Sequence, residues 1–325
     1  LAPVFDTTNV AVDHNQLTME IMKKVADKHD LVCLLHEKPF EGINGSGKHN
    51  NWSMITDDGV NLLDPGKTPS ENIQFLVFLM AVIKAVDEYA DLLRISVASA
   101  GNDHRLGANE APPAVVSIFL GDELTEVLKS IENDTYFTSH GAVQMDIGAT
   151  VLPHFVKDNT DRNRTSPFAF TGNKFEFRML GSAASVANPN IVLNTAVAEA
   201  LDQFAKELDG VAPEDMEHAV HELIKRAIKK HKRVIFNGNG YTDEWIEEAK
   251  KRGLYNLKST PDALPMWIAQ KNIDLFTKHS IFTSEELHSR YEIWLENYSK
   301  TINIESNTMV EMVQKDLLPS VMSYI

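Results

Sequence analysis

The sequence predicts a fold that mixes strands with helices in its first two thirds and becomes wholly helical in its last third. Three observations carry this. Apolar residues recur at helical spacing over residues 13–30 and 190–208. Residues 174–180 begin by alternating, with Phe175, Phe177 and Met179 on one face and Lys174, Glu176 and Arg178 on the other. That is the two-residue period of a strand. Beyond Gly210, the segments 213–232, 242–252, 261–276 and 284–300 all read as helices, and 307–325 extends the series.

In the first helix Leu17, Ile21, Met22 and Val25 form the apolar stripe, and Asp13 or Asn15 suits its cap. Residues 31–35 then read as a buried strand, and a glycine-bearing loop follows at 41–48. Residues 70–94 read as one long helix, capped by Ser70. Residues 96–113 and 158–172 have loop composition. A soft boundary falls near residue 210, dividing a region 1–210 from a helical region 211–325.

Composition bounds the function. Lys plus Arg is 31 and Asp plus Glu is 46 in 325 residues, a formal net charge of −15. A phosphate backbone repels such a chain, which argues against general nucleic-acid binding. A local cluster of cations still suits a triphosphate. The single cysteine, Cys33, can close no internal disulfide, which suits a reducing, cytoplasmic setting. No apolar run approaches the length of a membrane span. The opening Leu-Ala-Pro-Val-Phe, without Met, reads as a segment of a longer polypeptide.

Four constellations bear chemistry. The run KPFEGINGSGKHNNWS at 38–53 sets closely spaced glycines before His49. Glycines let backbone amides approach a ligand, and a histidine there can bind metal or phosphate. It is neither a P-loop nor GxGxxG. Lys174, Glu176 and Arg178 either face water or line a site, since buried charges need partners. Arg105 and Glu110 share a third loop, and Arg162-Asn163-Arg164 is a basic cluster suited to phosphate. Taken singly, each pattern is more often surface than site.

Taken together they resemble the glutamine synthetase family. The run 38–53 matches its ATP-binding-region signature, from Lys-Pro through Asn-Gly-Ser-Gly-x-His to a Ser four residues on. RLGANEAP at 105–112 is similar to its flap, RNRT at 162–165 to its basic loop, and KFEFR at 174–178 to its Glu–Arg strand. ANPN at 187–190 and IFTSEE at 281–286 resemble later elements, and the divergence from shorter forms points to the large type III branch.

The resemblance implies an α+β fold: a curved, mainly antiparallel half-barrel sheet covered by helices. His49 and Glu176 would bind Mg²⁺ or Mn²⁺ at the ATP phosphates. Arg105, Arg178, Asn44 and Gly45 would hold glutamate, while Asn51, Ser53, Lys174 and Arg164 would lie near ATP or the transferred phosphate. Glu110 would close the site over ammonium. The implied activity is ATP-dependent glutamate–ammonia ligation in a homo-oligomer, a dodecamer of two hexameric rings. Ligation of another amine and a non-catalytic scaffold are the alternatives. Three departures bear on the phosphate contacts: Ala169 stands where the family has arginine, the loop before the Glu strand is short, and Lys174 stands where arginine is usual. Most of the family's metal-binding glutamates precede the point where this chain begins.

Overall fold

The computed structural model describes residues 3–109, 111–135, 144–145, 155–156 and 165–325. The first helix, α1 (Thr8–Lys28), forms where its period places it, but none of its residues is buried. The expected strand at 31–35 does not form. Leu31, Val32 and Leu34 are exposed, and among the described residues the run joins no sheet. An apolar run becomes a strand only where neighbouring main-chain groups pair with it.

After β1 (Gly47–Trp52), the long helix predicted at 70–94 is two: α2 (Ile73–Glu88) and α3 (Ala90–Ile95), broken at Tyr89. Its cap is Asn72, not Ser70; the Asn72 side chain accepts from the Phe75 amide at 3.0 Å. The segment read as loop at 96–113 contains a short helix, α4 (Ala100–Arg105), capped by Ser99. Six residues are too few to show a helical period.

Then come β2 (Ile118–Phe119), α5 (Asp122–Glu132), β3 (Gln144–Met145) and β4 (Phe155–Val156). β5 (Phe168–Phe170) and β6 (Phe175–Gly181) follow, with β6 on the predicted alternation. The helices α6 (Ala187–Leu208), α7 (Met216–His231) and α8 (Asp243–Lys251) agree with expectation to within a few residues. The predicted helix 261–276 divides into α9 (Thr260–Ala263) and α10 (Gln270–Lys278) around the tight turn Leu264–Ile268, which carries Pro265. Last are α11 (Ser284–Met312) and α12 (Leu318–Tyr324).

The fold is α+β. The main sheet runs β1-β6-β5-β2, antiparallel across β1–β6 and β6–β5 and parallel across β5–β2. β1 and β6 pair with a bulge: Asn50 opposes Phe177, but Lys48 opposes Leu180. One face of the sheet is packed by phenylalanines. Phe168 stacks on Phe175 at 4.7 Å, Phe170 meets Phe175 edge-on, and Phe75 of α2 lies 5.9 Å from Phe170. Asn50 and Trp52 of β1 are tied to α6 through Asn190 and Asn194. With this face filled, Glu176 and Arg178 fall on the other.

The C-terminal helices dock on α2–α3 through buried, paired charges. Asp87 meets His231 at 2.8 Å and Arg233 at 2.6 Å. Asp91 meets Lys271 and Asn272. Arg94 donates to the Leu257 and Lys258 carbonyls and to Asp103, whose other oxygen accepts from the Thr260 amide. Buried charges persist only where such partners exist. No helix among the described residues is long and apolar enough to cross a membrane.

Candidate active site

The antiparallel pair β1–β6 lays the predicted residues out in a line. Gly47 opposes Gly181 at one end and Trp52 opposes Phe175 at the other. At ~3.3 Å per residue the strand spans about 17 Å between them.

The middle of the line holds His49, Glu176 and Arg178. His49 Nδ1 lies 3.6 Å from Glu176 Oε2. Arg178 donates to the same oxygen from Nε at 3.2 Å and from Nη2 at 3.0 Å. The Glu176 and Arg178 side chains are only 10% and 5% exposed, which removes the solvated reading of this strand face. His49, at 58%, faces outward beside them. Directly opposed residues share a sheet face, so Asn51, Glu176 and Ala169 form one row across three strands. The arginine expected at Ala169 would have stood beside Glu176.

At the Trp52 end lie Ser53 and Lys174. The Ser53 hydroxyl bonds Asn61 at 2.8 Å and the Asn173 carbonyl at 3.0 Å, which holds it to the β5–β6 turn. Lys174 closes that turn by accepting from the Thr171 amide.

At the Gly47 end lie Asn44, Gly45 and Arg105. Arg105 does not reach the His49–Glu176 pair. Its buried guanidinium donates to Asn102 and to the carbonyls of Arg178, Met179 and Leu180. Burial lowers its pKa, and the charge of Glu37 works against that. The glycine loop presses on this group. A Cβ at Gly47 would stand 2.2 Å from Arg105 Nη2, and one at Gly45 would stand 2.6 Å from the Glu37 carbonyl. The loop needs glycine here for close approach. Glu110 and Arg164, with Arg162 and Asn163, lie outside the described residues.

Two residues of this region escaped the sequence reading. Asn102 is fully buried and donates to the Val97 and Met179 carbonyls. Its signal was the Asn-x-x-Arg spacing to Arg105, one turn of helix. Glu37 is 4% exposed, a carboxylate separated from the apolar run 31–35 by His36 alone.

An imidazole nitrogen and a carboxylate oxygen suit a hard divalent cation. Among the described residues no group of three or more His, Cys, Asp or Glu could hold one. His49 and Glu176 are the pair of such groups that the sequence analysis expected at a cation, and the fold sets them 3.6 Å apart.

Comparison with known proteins decides the lineage. Residues 3–116 match the model of the glutamine synthetase catalytic domain, and residues 219–325 that of the glutamine synthetase C-terminal domain. The chain belongs to the glutamine synthetase family. A glutamine synthetase of Butyrivibrio fibrisolvens is 62% identical over 100% of this chain and 46% of its own length. A type-3 glutamine synthetase of Dictyostelium discoideum is 54% identical over 98% of this chain and 44% of its own length. The chain thus spans about half the length of the curated relatives it matches. A solved structure described as apo GmaS without ligand shares the fold at 16% identity, with a TM-score of 0.50. It is matched over 90% of this chain and 51% of its own.

Proposed function

We propose that this chain is the portion of an ATP-dependent glutamate–ammonia ligase that carries the ATP-facing metal ligands and part of the glutamate subsite. The observation that carries this is the linear order along β1–β6: Ser53 and Lys174 at one end, His49, Glu176 and Arg178 between, Gly45 and Arg105 at the other. A phosphoryl transfer from ATP to a γ-carboxylate needs nucleotide and amino acid end to end, with the reacting groups between them. The family relationship supports the same reading.

In this reading His49 and Glu176 hold Mg²⁺ or Mn²⁺, which when bound neutralises charge on the phosphates. Asn51, Ser53 and Lys174 orient ATP. Arg178 sits beside Glu176 and neutralises the γ-carboxylate and the oxygens of the transferred group. Asn44, Gly45 and Arg105 receive the amino-acid end of glutamate. Ammonia then displaces phosphate from γ-glutamyl phosphate. Glu110 provides the negative charge for ammonium, and Arg164 the charge at the phosphate. Residues 1–210 form the catalytic part and 211–325 a helical region, within a cytoplasmic dodecamer of two hexameric rings.

The test is a coupled assay of the full-length protein with ATP, Mg²⁺ and glutamate, offering ammonium beside a panel of primary amines. ADP release with glutamine formation from ammonium is expected. Faster turnover with another amine would replace this reading with a γ-glutamyl ligase, and no turnover with any amine would leave a non-catalytic scaffold.

A further inference from the structure

We infer that Glu37 is a positioning residue for the glutamate end of this site, an inference that rests on the reading above. Glu37 lies one residue before the Lys-Pro signature and is buried. It binds three segments at once. Its main-chain carbonyl accepts from the Ser46 amide at 2.8 Å and so closes the glycine loop on itself. Its carboxylate Oε1 accepts from the Ala183 amide at 3.0 Å, beyond the end of β6. The Ser182 amide in turn donates to the Ser46 carbonyl, so the loop and the β6–α6 turn are tied on both sides of Glu37.

The third segment is α4. A Cβ at Gly101 would lie 2.4 Å from Glu37 Oε2, and one at Gly181 would lie 2.3 Å from both Oε1 and Cγ. Two glycines from separate elements thus leave room for this one carboxylate.

Charge completes the case. Arg105 and Lys48, which flank Gly45 and Gly47, both lose water to burial, and the Glu37 carboxylate opposes the effect on each. Glu37 touches no reacting group. It fixes the path of Asn44, Gly45 and Ser46 and supplies a counter-charge beside the Arg105 guanidinium. A neutral residue of the same shape keeps the packing but loses the charge-assisted part of the hold, the stronger part.

The experiment compares the full-length protein with Glu37→Gln and Gly101→Ala. Glutamine keeps the volume and the acceptor but removes the charge. Alanine at 101 suits a helix and displaces the carboxylate without changing any charge. Each variant is scored for glutamate Kd by calorimetry, glutamate and ATP KM, kcat and thermal midpoint. A roughly tenfold weakening for glutamate is expected, which corresponds to the loss of one charge-assisted contact. The ATP KM should move less than about twofold. The inference falls if either folded variant binds glutamate within about twofold of the parent, or if glutamate and ATP weaken equally. If Glu37→Gln does not fold, Gly101→Ala alone decides. A parent that binds glutamate but makes no glutamine sinks the ligase reading and leaves the Kd comparison intact. A parent that binds no glutamate sinks both.

Discussion

His49 and Glu176 face one another across β1 and β6, with Nδ1 3.6 Å from Oε2. That separation is beyond a hydrogen bond. Glu176 is instead held by Arg178. In the full-length protein, Glu176→Ala should lower glutamine formation at least about 100-fold and raise the Mg²⁺ concentration needed for half-maximal rate. Steady-state assays across a Mg²⁺ titration check this. Unchanged Mg²⁺ dependence with near-parental turnover would refute the assignment of Glu176 as a metal ligand.

The glycine loop admits a sharper steric test. Gly45→Ala sets a Cβ against main chain, the Glu37 carbonyl, where no side-chain rotation gives relief. A loss of about 1–3 kcal/mol is expected from such overpacking. Gly42 has open space around it, so Gly42→Ala should cost only the roughly 1 kcal/mol of its positive φ of 74°. Urea midpoints of the two variants, compared at equal slope, give the ordering. Equal losses would mean that the loop tolerates a Cβ at 45.

Asp103 joins α3 to the C-terminal region, through Arg94 on one side and Thr260 on the other. Burial lowers the pKa of Arg94, and the hydrogen bond and charge of Asp103 oppose that. Asp103→Ala removes this counter-charge and should destabilise the protein by roughly 3–5 kcal/mol. Hydrogen exchange should rise first at residues 257–263. Exchange that stays at the parental level there would show that this contact does not hold the C-terminal helices.

On α6, Glu199 and Asp202 share Lys278 of α10. Burial pushes Glu199 up, but hydrogen bonds from Lys278, Gln203 and His279 outweigh it. Lys206 and then Lys278 hold Asp202 down at about 2. Carboxyl groups held low in the folded state stabilise it above their unfolded values and lose that contribution as pH falls through the folded ones. The loss for Asp202 therefore runs from near its ordinary 3.8 down to about 2. Lys278→Met should move the acid-unfolding midpoint to higher pH, as followed by circular dichroism. A midpoint unchanged or lower would show that Lys278 does not hold these carboxylates down.

What was legible in the sequence followed the physics each pattern reports. The alternation at Phe175, Phe177 and Met179 placed β6 and the face carrying Glu176, because a strand's period is local. The helices after Gly210 were legible for the same reason. The strand at 31–35 was not, because pairing depends on a neighbour that composition does not reveal. The break at Tyr89 was hidden inside a continuous helical stretch with no Pro or Gly to mark it. At the site, the patterns at 38–53 and 174–178 read singly as surface, and only the family resemblance of the two together pointed to His49, Glu176 and Arg178. Arg105 was identified as a residue but not by its contacts. Nothing local says that a guanidinium will be spent on carbonyls more than 70 residues away. Glu37 was passed over because its partners, Gly101, Gly181 and Ala183, lie in separate segments.

The bulge in β1–β6 has a consequence for how this region can change. Between the pairs Asn50–Phe177 and Lys48–Leu180, β6 advances one residue more than β1. Strand sidedness has a beat of two, so that extra residue swaps which side chains lie above the sheet and which below. Deleting a single residue near Met179 would bring the ends back into step and turn either Glu176 or the loop anchor at Gly181 to the wrong side. A one-codon insertion or deletion in this stretch of gene is a frameshift of geometry.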